Sequence, residues 1–71
     1  MKQSKLCHIC SNLRYEFEED GYQLVDKYSQ SGERVWWYRH KDNGNRICIV
    51  INLNQLYINV FKNSILIKVI S

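Results

Sequence analysis

From Arg34 to Ser71 the chain is a succession of short β-branched and aromatic runs separated by turn residues, with large apolar side chains at both odd and even positions. A sheet with one packed face and one wet face alternates apolar and polar residues along each strand. Here Trp, Tyr, Phe, Leu and Ile fall on both sides of the strands, and only one segment of the chain has helical periodicity. One helix covers one face of a sheet. The second apolar face therefore calls for another occupant, and that mismatch constrains both fold and function.

Length sharpens the point. A chain of 71 residues holds one domain, and a domain of that size buries only about 60% of the surface its unfolded form exposes. Small domains commonly lean on disulfides, metals or oligomerisation. With three cysteines, at most one internal disulfide is available, which gives weight to self-association. The chain has no Ala, Pro or Thr but eight Ile, seven Asn, six Lys and five Tyr. This usage fits an AT-rich genome and points, on composition alone, to a phage, plasmid or archaeal-virus accessory protein ahead of a gene of an AT-rich bacterium.

The stretch after Lys5 is broken by His8, Ser11, Asn12 and Arg14, so it lacks the apolar core of a signal peptide. No run approaches the ~18 apolar residues that span a bilayer. The expectation is a cytoplasmic protein with reduced thiols and no membrane partner. The net charge of +3 is unevenly spread, with Glu16, Glu18, Glu19 and Asp20 clustered and the basic residues elsewhere.

Leu6, Ile9, Cys10, Leu13 and Phe17 recur at three- and four-residue spacing, which predicts a helix over about 5–19. Ser4 reads as its N-cap and Gly21 as its stop, although Glu18, Glu19 and Asp20 oppose the helix dipole. Strands are expected over about 22–29, 34–40, 46–53, 56–61 and 65–70. Asp42-Asn43-Gly44-Asn45 lies between two apolar runs, and Asn-Gly there is the strongest hairpin signal in the chain. Asn63-Ser64 closes another hairpin, and Asn54-Gln55 links the two pairs.

Two registers are open for the central hairpin. A two-residue turn at Asn43-Gly44 sets Trp36 and Tyr38 beside Ile51 and Ile49, but Lys41 then faces Arg46, and like charges opposite one another cost stability. A three-residue loop with Gly44 left-handed avoids that clash and puts Trp37 beside Ile49 instead, and is the preferred reading. Either way the two adjacent tryptophans lie on opposite faces, one of them with Arg46, Cys48 and Val50. In the last hairpin, alternation puts Ile58, Val60, Ile67 and Val69 on one face and Tyr57, Phe61, Leu66 and Ile70 on the other.

Cys7-His8-Ile9-Cys10 is half of a zinc site, since beyond it only His40 and Cys48 offer comparable donors. Cys10 also fits the apolar stripe of the helix, where a free Cys packs as a small hydrophobe. Packing is the stronger reading, and no metal or cofactor is assigned. A redox role for the pair lacks the preceding strand of a thioredoxin-like unit. There is no phosphate-binding Gly loop and no nucleophile elbow, so no catalytic residue and no small-molecule substrate is evident.

Trp36, Trp37, Tyr38, Arg39, His40, Lys41 and Arg46 converge on one hairpin, and Tyr57 and Phe61 join them across the sheet. Trp, Tyr and Arg are the favoured anchors of protein interfaces, and aromatics beside cations also suit single-stranded nucleic acid. The final strand, Ile65-Leu66-Ile67-Lys68-Val69-Ile70, carries one charge and no proline, an edge that invites pairing. The expected protein is thus α+β, with a helix across one face of an antiparallel meander of four or five strands. It is a non-enzymatic binding protein that forms a homodimer or grips and inhibits a host protein through Trp36, Trp37, Tyr38, Arg39, Lys41, Arg46, Tyr57 and Phe61. The alternative is a module that binds single-stranded RNA or DNA through the basic hairpin.

Overall fold

A computed structural model describes residues 1–71. Helix α1 (Gln3–Glu19) is followed by β1 (Tyr22–Gln30), β2 (Glu33–His40), β3 (Arg46–Asn52), β4 (Tyr57–Lys62) and β5 (Ile65–Ile70). The strands form one antiparallel sheet in the order β1-β2-β3-β4-β5, and α1 packs on one face of it, the expected α+β meander. No helix is long and apolar enough to cross a membrane.

The apolar stripe of α1 seats Leu6, Cys10 and Leu13 against Tyr22, Tyr38, Ile47, Ile49, Ile51, Ile58 and Val60, all buried. Ile9 and Phe17 pack at the margin of this core. The helix begins at Gln3, and Lys2 occupies the N-cap with no side-chain hydrogen bond, so Ser4 is not the cap. A tertiary contact anchors this end instead, with Gln3 Nε2 donating to the Leu53 carbonyl at 2.8 Å. At the other end Asp20 and Gly21 return their N–H groups to the last turn, and Gly21 takes φ +101°. Glu18, at the unfavourable end of the dipole, accepts a hydrogen bond from Tyr38.

The central hairpin adopts neither expected register. His40 N–H donates to Asn45 O at 2.7 Å, so the loop has four residues, Lys41 to Gly44. Trp36 then lies opposite Ile49, Tyr38 opposite Ile47 and Trp37 opposite Cys48. Gly44 is left-handed, as the three-residue reading required, at φ +75°. One more residue joins the loop because His40 is held from outside the hairpin. Its ring Nε2 lies 2.8 Å from the Asp20 carbonyl, while Nδ1 accepts the Asp42 N–H at 3.1 Å. That acceptance leaves the proton on Nε2 to donate, so the ring is fully used as a structural link.

The tight turns fall elsewhere. Ser31-Gly32 and Asn63-Ser64 both have two successive positive φ values, 44° and 80°, then 50° and 70°, as a two-residue hairpin of matching twist requires. Between β3 and β4, the Asn52 side-chain oxygen accepts N–H groups from Asn54 and Gln55, an Asx-type turn that holds the link.

Irregular pairing occurs at both sheet edges. The register shifts between Leu24 and Asp26 on β1, and between Val60 and Phe61 opposite Ile67 on β5. The second shift inverts part of the expected alternation. Val69 pairs with Asn59 and Ile70 with Ile58, so Ile70 joins the core side and Val69 leaves it. Ile67, expected on the face of Ile58 and Val60, sits at the bulge and is 53% exposed. A one-residue insertion exchanges faces for every residue beyond it.

Candidate functional site

Cross-strand pairing writes out the face of the sheet that α1 does not cover. One row runs Asp26, Trp37, Cys48, Phe61, Leu66, and the next runs Tyr28, Val35, Val50, Asn59, Val69. Eight of these ten residues are apolar or aromatic. Beyond the first row stand Gln23, Arg39 and Arg46, and beyond the second stand Gln30, Glu33, Asn52 and Tyr57. The face is therefore an apolar band with a basic border toward the Lys41–Gly44 loop and an acidic, amide-rich border at the opposite end.

Within the band the side chains shelter one another. Val35 and Cys48 are buried although no element lies over them, and Trp37, Val50, Tyr57 and Phe61 are half-buried. Burial raises the Cys48 thiol pKa. Tyr28, Leu66 and Val69 remain exposed. Tyr57 Oη donates to Glu33 Oε2 at 3.1 Å, which fixes the carboxylate at the border. Arg39 and Arg46 are direct cross-strand partners, a like-charge pairing that costs stability unless something acidic approaches it.

Of the residues singled out by sequence, Trp37, Arg39, Arg46, Tyr57 and Phe61 share this face, with Lys41 in the adjoining loop. Tyr38 and Trp36 do not. Tyr38 is 0% exposed in the core, out of reach of any partner. Trp36 lies on the helix side under the Arg14 guanidinium, whose carbon is 4.7 Å from the ring centroid. Alternation along β2 separates these neighbours from Trp37. Val50 lies on this face with Cys48 and Arg46, as alternation predicts, whereas Val35 and Tyr28 belong to the band without having been singled out, because ordinary strand residues carry no signal until the register is known.

The edges are poorer candidates than the face. β5 is exposed at Ile65, Leu66, Ile67 and Val69, yet its bulge and Lys68 interrupt it, and β1 carries its own bulge beside Asp26 and Lys27. Both devices discourage edge-to-edge pairing. Elsewhere, no three His, Cys, Asp or Glu side chains stand together as a metal cluster. Cys10 is packed in the core, and burial pushes its thiol up to about 11. No protein-family model, curated protein or solved structure matches the chain.

Proposed function

We propose that this is a binding protein that self-associates through the uncovered sheet face, two copies packing band to band. The observation that carries the reading is the continuous apolar band bordered by arginines at one end and a glutamate at the other. Two sheets stacked about a two-fold axis perpendicular to their strands bring opposite borders together. With the axis at the level of Trp36, Arg39 of each copy lies over the partner's Glu33, and Trp37 over the partner's Val35. A two-fold along the strands sets arginine on arginine and is disfavoured.

Size is compatible. A five-stranded sheet with about six residues per strand offers a face of roughly 24 by 20 Å, so two copies cover about 1,000 Å² in flat projection and more with side-chain relief, which reaches the range of specific interfaces. The apolar band supplies the driving force, and the borders supply the orientation. In such a dimer both helices face outward.

The test is solution mass by light scattering across a dilution series. A dimer is expected, with Trp37→Glu yielding a folded monomer. Arg39→Glu and Glu33→Arg should each weaken the dimer and the double exchange should restore it, because each substitution is met by its reciprocal across the axis. A wild-type chain that stays monomeric at millimolar concentration overturns the reading.

A further inference from the structure

On the opposite side of the sheet, at the junction of α1 with β1 and β2, three cations gather around one indole. Arg14 descends from the helix, Lys27 is the cross-strand neighbour of Trp36, and Arg34 is the neighbour of Ser29. These side chains line an open cleft of about 410 Å³. A second, smaller recess of about 110 Å³ shares Arg14, Arg34 and Trp36 and adds Ser11. Neither lining contains an aspartate or a glutamate. Glu33 and Asp26 stand on the far face, and Glu18 is linked to Arg14 only through the Tyr38 hydroxyl that both bind.

Three cations with one carboxylate near them, reached only through the Tyr38 hydroxyl, leave an excess of positive charge that costs free energy, and an anion relieves that cost. The arrangement is also partly fixed in advance. Arg14 Nε donates to Tyr38 Oη at 3.0 Å, and its carbon lies 4.7 Å from the Trp36 centroid, so the guanidinium is held from two sides while both Nη groups remain free to donate. A guanidinium so oriented suits the paired oxygens of a phosphate. Ser29 and Ser11 add hydroxyl-bearing side chains to the linings, and the part of the half-buried Trp36 ring that the Arg14 guanidinium leaves uncovered lies beside the charges, which is where a nucleobase attached to that phosphate would rest.

From this geometry we infer that the cleft between α1, β1 and β2 binds the phosphate of a nucleotide, free or within a single strand of nucleic acid, through Arg14, Lys27 and Arg34, with Trp36 against the base. The site lies on the helix side of the sheet and does not depend on self-association through the far face.

The test is NMR titration of the full chain at low salt with three probes: inorganic triphosphate, ATP, and an oligo-dT strand of about a dozen residues. Saturating shifts are expected at the Arg14 Nε–H and Trp36 Nε1–H signals. ATP acting at lower concentration than the strand assigns a free nucleotide, and the reverse order assigns nucleic acid. Lys27 and Arg34 are both exposed, so the double variant Lys27→Ala/Arg34→Ala should fold normally and bind about tenfold or more weakly. Lys5→Ala/Lys62→Ala removes the same net charge at two other exposed positions and should bind like the wild type. The inference is overturned if no probe gives saturating shifts, if shifts centre on Arg39 and Arg46, or if the two double variants behave alike.

Discussion

Tyr38→Phe deletes one oxygen from the centre of the helix–sheet contact. Tyr38 is fully buried, and its hydroxyl accepts from Arg14 Nε at 3.0 Å and donates to Glu18 Oε2 at 2.9 Å. A hydrogen bond to a charged group contributes about 1.5–3 kcal/mol when its partner is stranded. Neither partner is stranded here, because Arg14 is half-buried and Glu18 exposed, so water takes up much of the loss. The void left by one hydroxyl adds only a few tenths of a kcal/mol. The expected cost is therefore about 1–2 kcal/mol for the two bonds together, a large share of the roughly 4–10 kcal/mol available to a domain of this size. Urea unfolding followed by far-UV circular dichroism should show the midpoint falling by about 1–2 M, given a slope near 1 kcal/mol per molar. A loss under about 0.5 kcal/mol, or a more stable variant, would refute the assignment of this hydroxyl as the polar link between helix and sheet.

Other expectations are equally direct. Burial raises the folded-state pKa of Cys10 from 9.0 to about 11 and shifts Cys48 and Tyr38 upward as well. Below pH 9 this stabilisation is complete, and it is lost as pH rises toward 11, because the unfolded chain ionises first. Cys10 alone should contribute a fall of about 2–3 kcal/mol, read from urea midpoints between pH 8.5 and 11, and Cys10→Ala should flatten that slope. Ser64 holds φ +70° without being glycine, so Ser64→Gly should raise stability by about 0.5–1 kcal/mol in thermal unfolding. Gly32 sits at φ +80° with the Asn54 side chain where a Cβ would go, so Gly32→Ala should cost about 1–2 kcal/mol in the same assay.

Leu6, Cys10 and Leu13 announced the helix because a 3.6-residue spacing is local, and Ile47, Ile49 and Ile51 announced a buried strand face because alternation is local. The hairpin loop was misjudged at its strongest signal. Asn43-Gly44 marks a turn wherever it occurs, but the length of the loop was fixed by His40, whose ring binds the Asp20 carbonyl from a different part of the chain. The faces of β5 were likewise misassigned beyond Ile67, since no residue type there declares a bulge.

The sequence by itself determined the order of elements, the existence of a second apolar face and the presence of at least one tryptophan on it. These follow from short-range periodicity and from there being one helix for a sheet with two apolar sides. Only the tertiary structure decided which tryptophan it is. It separated Trp36, under Arg14, from Trp37, set Arg39 and Glu33 at opposite borders of the open face, and brought Arg14, Lys27 and Arg34 to one cleft. The physical reason is that register and cross-element proximity depend on long-range contacts, where a slip of one residue exchanges every side chain between the two faces of the sheet.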